Sequence, residues 1–411
     1  MTKRLLAVSW EMPPLSGPRA VQVSRTLAQL APLGWESTTV CFGPRSQRYL
    51  QDAELASRLR APAGVTLFPV RSLEERLPFR ALWRVLPPVK LLPDEKWVWI
   101  PRASREAERL AAERPFNVLV TFAQPWSDHL IGLRVHRATK LPWVAHFSDP
   151  WVDSPYLRGR PWQDRLWRRM EADVIRHATA VVFVNRQTAD LVMRKYPDAW
   201  RSKVHVVPHG FDPADQRAAA TPVAGPLHLV YTGRFYEGVR TPEPLLRALA
   251  ALMKRRSLAD DLRLTFVGTL VPTYARLTEQ LGLASLVNFT GRVPFSESAR
   301  IAAAADVLLV IDAPAGDSLF LPSKLIDYLP LAKPILGLTP AAGATADVLR
   351  LLDQPMVAPD DEAAIASVIE KLIAQKREGV LGVPPSFAAL AARYDIRATT
   401  RTFAEILEQC A

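Results

Sequence analysis

The sequence predicts an α/β protein of more than one domain, each domain built on a parallel sheet. Three observations predict it. The chain has 411 residues, enough for two or three separate cores. Apolar runs suited to buried strands alternate with stretches of helical periodicity along most of it. Twice, a strand passes through a glycine-bearing loop into a helix, first at 4–33 and again at 227–253, and that is the opening unit of a doubly wound sheet.

Residues 4–10 read as the first strand, followed by the loop Glu11-Met-Pro-Pro-Leu-Ser-Gly-Pro-Arg19. A helix over 20–33 gathers Val21, Leu27, Ala28 and Leu30 on one face and ends at Gly34; residues 37–42 form a second strand. Gly17 has no Cβ, so a ligand can approach its backbone closely. The loop is not Gly-x-Gly-x-x-Gly, and a dinucleotide fingerprint is absent. Residues 44–115 read as irregular and rich in Arg, Pro and Trp. Between Arg71 and Arg109, Arg76, Arg80, Trp83, Arg84, Lys90, Trp97 and Trp99 are interleaved with aliphatic residues. That mixture suits an anionic membrane interface; the alternative is a helical excursion with solvated Arg and core Trp.

Residues 117–122 and 142–147 read as strands, the second ending in His146-Phe-Ser-Asp149-Pro-Trp-Val-Asp153. Ligands gather at the carboxyl ends of such strands. His146 there suits a hydrogen bond to a ligand, and Asp149 suits positioning of one. The alternative is a loop cap at Asp149 and a satisfied core histidine at 146. A helix over 158–177 is dense in Arg and Trp. A strand at 180–185, a helix at 187–196 and a strand at 204–208 lead to His209-Gly-Phe-Asp212. Residues 213–226, rich in Ala, Pro, Gly and Thr, read as a linker between a domain at 1–212 and one at 227–385.

The second domain opens with strand 227–231 and the loop Thr232-Gly-Arg-Phe-Tyr-Glu-Gly-Val-Arg240, with a helix to about 253. Strand 262–267, helix 273–281, strand 287–289, the turn Thr290-Gly-Arg-Val293, helix 296–305 and strand 307–311 follow. A helix then starts near Pro322–Ser323. Ser323 is predicted to cap its first amides, Lys324 adds a full positive charge, and Asp327 lies one turn on. Amides and Lys324 suit phosphate, and Asp327 suits a ribose diol, so the cluster fits a nucleoside diphosphate. The alternative is a capped surface helix with a Lys–Asp pair. A helix at 363–375 and two more at 386–393 and 396–409 complete the chain.

Net charge is +11 and unevenly spread: residues 1–210 hold 32 Lys+Arg against 19 Asp+Glu, residues 211–411 hold 20 against 22. The basic half points to an anionic membrane, a charged lipid-linked substrate or nucleic acid. No nucleic-acid motif accompanies it, and none is expected as partner. Two distant cysteines, Cys41 and Cys410, form neither a disulfide framework nor a metal cluster, which suggests a reducing cytoplasm. No apolar run reaches the roughly 20 residues that span a bilayer.

Pro322-Ser-Lys-Leu-Ile-Asp-Tyr-Leu-Pro-Leu-Ala-Lys-Pro-Ile335 resembles the glycosyltransferase family 4 group, where this place reads roughly Pro-x-Lys-hydrophobic-x-Glu-Tyr-Leu-(two or three residues)-Lys-Pro-Ile. The Pro-Pro-x-x-Gly loop, the Asp149-Pro-Trp strand end, Val-Pro-His-Gly-Phe-Asp212 and Phe-Thr-Gly-Arg-Val293 are similar to further elements of that group. The resemblance implies a GT-B fold, two Rossmann-like domains facing each other across a cleft, with residues 386–411 crossing back to the first. It implies a retaining, metal-independent glycosyltransferase of hexosyltransferase type, without cofactor, moving sugar from a nucleotide-diphosphate donor to a glycan or lipid-linked acceptor. Cell-surface polysaccharide or glycolipid synthesis at the inner face of the cell membrane fits that reading. Arg234 and Arg240 would hold the donor diphosphate with Gly233, Ser323, Lys324 and Asp327. Arg292 and Val293 would meet the base, Gly17 would face the donor, and His146 and Asp149 would serve the acceptor. The sequence departs at 146, where Asp is common, at 148, where Arg is common, and at Leu319, where the group carries the first of two Glu. That departure keeps a non-catalytic nucleotide-sugar-binding or scaffold protein as the alternative; an epimerase on the same fold lacks an identifiable acid–base set.

Overall fold

The computed structural model describes residues 2–44, 51–53, 64–73, 91–155, 157, 159–215, 225–268 and 270–411. The chain divides into two units, one of Met1–Gly210 with Ile396–Ala411, the other of Phe211–Asp395.

In the first unit the described elements are β1 (Lys3–Ser9), α1 (Pro18–Leu30), β2 (Trp35–Phe42), β3 (Val65–Val70), α2 (Ile100–Glu113), β4 (Val118–Ala123), α3 (Ser127–Thr139), β5 (Trp143–Phe147), α4 (Pro161–His177), β6 (Ala180–Phe183), α5 (Arg186–Met193) and β7 (Val204–Val206). The strands form one parallel sheet in the order β3-β2-β1-β4-β5-β6-β7. Period-two alternation sends successive residues to opposite faces, and a parallel sheet needs both faces covered. Leu6 and Val8 of β1 join Trp99, Leu110, Ile131 and Trp143 on one side. Leu5 and Ala7 join Val23, Leu27, Phe403 and Leu407 on the other.

The second unit contains β8 (Leu227–Thr232), α6 (Glu243–Arg255), β9 (Leu262–Val267), α7 (Pro272–Gln280), β10 (Val287–Gly291), α8 (Phe295–Ala303), β11 (Val307–Ile311), α9 (Ser323–Tyr328), β12 (Ile335–Leu338), α10 (Ala344–Leu351), β13 (Met356–Val357), α11 (Glu362–Arg377) and α12 (Phe387–Ala391). Its sheet is also parallel, in the order β10-β9-β8-β11-β12-β13. Leu229, Tyr231, Leu309 and Ile311 face one core, Val230, Leu308 and Val310 the other. In both sheets the strand order reverses beside the first strand, between β1 and β4 and between β8 and β11. Such switch points open a crevice at the carboxyl ends of the strands.

Some expectations change. The stretch read as irregular over 44–115 holds strand β3 and helix α2. β3 carries Pro69, whose missing N–H is tolerated because the strand lies at the sheet edge. Val98 and Trp99 from the proposed membrane segment are core residues, and Arg109 is paired with Glu106 and Glu113. Arg76, Arg80, Trp83, Arg84 and Lys90 lie outside the described residues. The units divide at Gly210/Phe211 and Asp395/Ile396 rather than at 212 and 385. Of the two tail helices, α12 belongs to the second unit, and the last helix, α13 (Ile396–Cys410), packs on the first. Gly210 serves close approach: a Cβ there would lie 2.5 Å from the Ile396 Cα. Among the described residues no helix is long and apolar enough to cross a membrane.

Candidate functional site

The sequence-derived residues fall into two groups, one at the carboxyl ends of each sheet. In the second unit, β8 ends at Thr232 and the chain turns through Gly233, whose φ of 134° is open to glycine alone. A Cβ on Gly233 would lie 2.5 Å from the Lys324 Nζ, so the missing side chain makes room for the ammonium. That ammonium sits 3.6 Å from the centre of the Tyr231 ring and has no hydrogen-bond partner among the described residues, although it is buried. Burial drives the Lys324 pKa well below the lysine range; Arg240 pushes it the same way and Asp312 opposes both. A cation–π contact returns part of what desolvation removes. Asp312, just past β11, accepts a 2.8 Å bond from the Thr339 hydroxyl, and burial raises its pKa.

Arg240 donates through Nη2 to the Arg234 carbonyl at 2.8 Å and lies 5.0 Å over the Tyr236 ring. The turn bearing Arg234 is thus fastened to Arg240, and Tyr231 adds a hydroxyl bond to the same carbonyl at 3.2 Å. Two further glycine turns flank it. Gly268 after β9 has φ 140°, and its Cβ would lie 2.1 Å from the Gly233 oxygen. Gly291, at the end of β10, has φ 68° and accepts from the Gly268 amide at 3.0 Å. Arg292 is exposed and Val293 half-buried beyond it. Gly268 was legible in the sequence only as part of a loop.

Helix α9 differs from expectation. It has six residues, Pro322 is its N-cap, and Ser323 makes no capping bond because it is already the first helical residue. A helix this short adds little dipole, so the positive charge there rests on Lys324. Tyr328 from its last turn shares hydrogen bonds with the amide and hydroxyl of Thr232, at 2.8 and 2.9 Å, tying α9 to the end of β8. Asp327 is half-buried on the same helix.

In the first unit, the Asp149 carboxylate accepts from Gln124 Nε2 at 3.1 Å and from the Ser148 hydroxyl at 3.3 Å. Burial raises its pKa against the lowering effects of Arg19 and Ser148. His146 is buried at the next-to-last position of strand β5, its Nδ1 3.0 Å from Nη2 of Arg19. His209 lies 6.3 Å from it, ring to ring, with its pKa lowered to about 3 by burial and then by Arg19 and Arg25. Gly17 is the N-cap of α1, and the place a Cβ would take is filled by the Glu11 carboxylate, at 2.2 Å. Gly17 thus admits Glu11 where the sequence suggested a ligand. Arg19 was missed: only the adjacency of β1, β4 and β5 brings it to a residue 127 positions away.

The segment that follows Asp149 is held by a buried carboxylate. Glu171 of α4 accepts from the Val152 amide at 2.9 Å and the Tyr196 hydroxyl at 2.7 Å, and pairs with Lys195 at 2.7 Å. Lys195 also bonds Asp153. Trp151 stacks on Trp126 at 5.2 Å, fixing the loop after β5 to the one after β4. Among the described residues, no group of three His, Cys, Asp or Glu is placed to hold a metal ion.

Residues 19–210 match the model of the glycosyl transferase 4-like domain, and residues 226–375 that of glycosyl transferases group 1. The chain belongs to the GT-B glycosyltransferases. Solved structures agree on the fold across almost its whole length. Anabaena HepE, crystallised with UDP and glucose, has a TM-score of 0.70 at 15% identity, covering 99% of this chain and 100% of its own. Sucrose-phosphate synthase from Thermosynechococcus elongatus gives 0.73 at 16%, covering 99% and 98%. WaaG, a glycosyltransferase of lipopolysaccharide biosynthesis, gives 0.63 at 16%, covering 98% and 99%. No curated protein sequence matches the chain. Within this glycosyltransferase, the three glycine turns and the cations beside them all lie in the group 1 domain, and the Arg19–His146–Asp149 cluster in the 4-like domain.

Proposed function

We propose that the protein is a retaining glycosyltransferase that takes a hexosyl group from a nucleoside-diphosphate sugar and places it on the hydroxyl of a glycan or lipid-linked acceptor. The observation that carries the donor assignment is Lys324: a buried ammonium with no hydrogen-bond partner among the described residues, beside a glycine turn and two arginines. A diphosphate supplies the missing acceptor oxygens, and Arg234 and Arg240 add planar donors suited to phosphate. HepE was crystallised with UDP-glucose, which supports a donor of that class. Arg292 and Val293 would meet the base and Asp327 the ribose.

In the proposed step the bond from the anomeric carbon to the diphosphate oxygen breaks, and a bond to the acceptor oxygen forms on the same face. The acceptor's proton passes to the departing phosphate oxygen, so no strong side-chain base is required. Lys324, Arg234 and Arg240 stabilise the charge growing on the leaving group, an electrostatic contribution that is commonly the largest one. These cations make the reaction metal-independent. His146 and Asp149 orient the acceptor hydroxyl. Trp162 on α4 is 46% exposed, with Arg165, Arg168 and Arg169 exposed beside it, which supports an anionic, lipid-linked acceptor at the inner membrane face.

The test is a thermal-shift panel of UDP, GDP, ADP and dTDP on wild type, Arg234→Ala and Asp327→Ala. One nucleotide should stabilise the wild type and neither variant. No shift with any at millimolar concentration would overturn the donor reading. Binding without transfer to any glycan or lipid acceptor would favour the scaffold alternative, for which the absence of an acid at Leu319 speaks. The product's anomeric coupling reports retention, and no binding to anionic vesicles at physiological salt would remove the membrane component.

A further inference from the structure

We infer that Arg19 is a positioning residue for glycosyl transfer: it fixes His146 as a neutral imidazole with its proton on Nε2, aimed to donate to the acceptor. The role given to His146 rests on the function proposed above; the tautomer does not.

A guanidinium has five N–H donors and no acceptor. With Nη2 of Arg19 at 3.0 Å from Nδ1, that nitrogen must accept, so the ring proton resides on Nε2. The same Nη2 reaches the His146 carbonyl at 3.5 Å, and the guanidinium lies 5.7 Å over the Phe122 ring. Phe122 and Phe403 hold the imidazole from two further sides, at 5.3 and 6.0 Å. His146 Nε2 has no bond to a described residue, yet it is not among the buried orphan atoms, whereas Nε2 of His129 is. One nitrogen is committed and the other is left for a ligand.

The charged and titratable groups around the ring agree. Burial first, and then the charge of Arg19 from α1, disfavour an imidazolium at 146; His209 from the segment after β7 and His129 from α3 also face the ring, and burial lowers the pKa of each. Asp149 stands three residues on, and burial raises its own pKa. Arg19 is 7% exposed, forms no ion pair within 4.0 Å with a described residue, and feels the carboxylates of Asp149, Asp128 and Glu11 at longer range. A protonated His146 would set two cations 3.0 Å apart. The result is a donor that keeps its direction across neutral pH, where a free histidine would change charge.

The experiment uses the full chain labelled with 15N-histidine, with His146 assigned by comparison with His146→Gln. Long-range proton–nitrogen spectra should show a pyridine-type Nδ1 and a protonated Nε2 throughout neutral pH. Arg19→Met should mix the tautomers and lower kcat roughly tenfold, the worth of one hydrogen bond to a charged group, with donor KM unchanged. Arg19→Lys, which keeps a charged donor, should restore both. A proton on Nδ1 in the wild type, or an unchanged spectrum in Arg19→Met, overturns the inference. If Arg19→Met does not fold, the wild-type spectrum alone decides. The spectra need neither donor nor acceptor, so a failure of the transferase reading would show separately, as absent turnover with the tautomer intact.

Discussion

Lys324→Met should separate binding from stability. Lys324 is an ammonium out of water, against the face of Tyr231, without a hydrogen-bond partner among the described residues. Replacing it with Met removes a cation–π contact worth about 2 kcal/mol in a desolvated place. It also removes the cost of an unpartnered buried charge and supplies a sulfur–aromatic contact of about 0.3–1.5 kcal/mol. These nearly offset, so stability should change by no more than about 1 kcal/mol, roughly 2–4 °C in Tm for a unit of this size. Nucleotide binding has no such offset. A charge-assisted hydrogen bond to phosphate is worth about 1.5–3 kcal/mol, so Kd should rise roughly ten- to 150-fold. The assay is calorimetric titration of the favoured nucleoside diphosphate beside a melting curve of the free protein. The pH dependence carries the same signature. An anion favours the charged lysine, so binding takes up a proton, and wild-type affinity should fall as pH rises through the depressed Lys324 pKa. The variant should lack that fall. A Tm loss well beyond 4 °C with unchanged Kd would refute the reasoning, because Lys324 would then be a structural cation.

Glu171→Gln should destabilise the protein by about 3 kcal/mol, since it uncouples one partner of a buried pair, and urea unfolding should show the lower midpoint. Gly268→Ala forces a Cβ against the Gly233 oxygen at a φ of 140°. It should cost about 1–3 kcal/mol and weaken nucleotide binding by displacing the Arg234 turn. Wild-type binding in that variant would show the turn to be irrelevant to the donor. His209 has a folded pKa of about 3, below its unfolded value near 6.5. Its neutral form therefore contributes stability that is present above 6.5 and is lost as pH falls toward 3. His209→Asn should flatten part of that acid slope in denaturation measured at successive pH values.

The fold was legible where burial is complete. Strands at 262–267 and 307–311 were bounded from their apolar runs, and the structure has the same limits. β3 escaped because Pro69 argues against a strand unless its edge position is known. α2 escaped because its buried face is mostly small, Ala103, Ser104 and Ala107 with Leu110, so a pattern of large apolar residues does not reveal it. At the site, Gly233, Arg234, Arg240 and Lys324 could be placed because strand–glycine–helix order positions them locally. Ser323 was misread by one residue, since Pro322 takes the cap position. Arg19 was out of reach: its partner is fixed by sheet order alone, and local pattern cannot supply that.

Helix α13 has a consequence for how the protein is made. Phe403, Ile406 and Leu407 complete the core that covers Leu5, Val118 and Val120, yet they are synthesised some 190 residues after the last strand of that sheet. At about 5–20 residues per second, the ribosome leaves that face of the first sheet with α1 but without α13 for roughly 10–40 s. During that interval Val118 and Val120 lack the cover of Phe403, Ile406 and Leu407. A nascent chain that stops before residue 396 would hold the described strands of the first sheet and α1, but not the helix that completes this core.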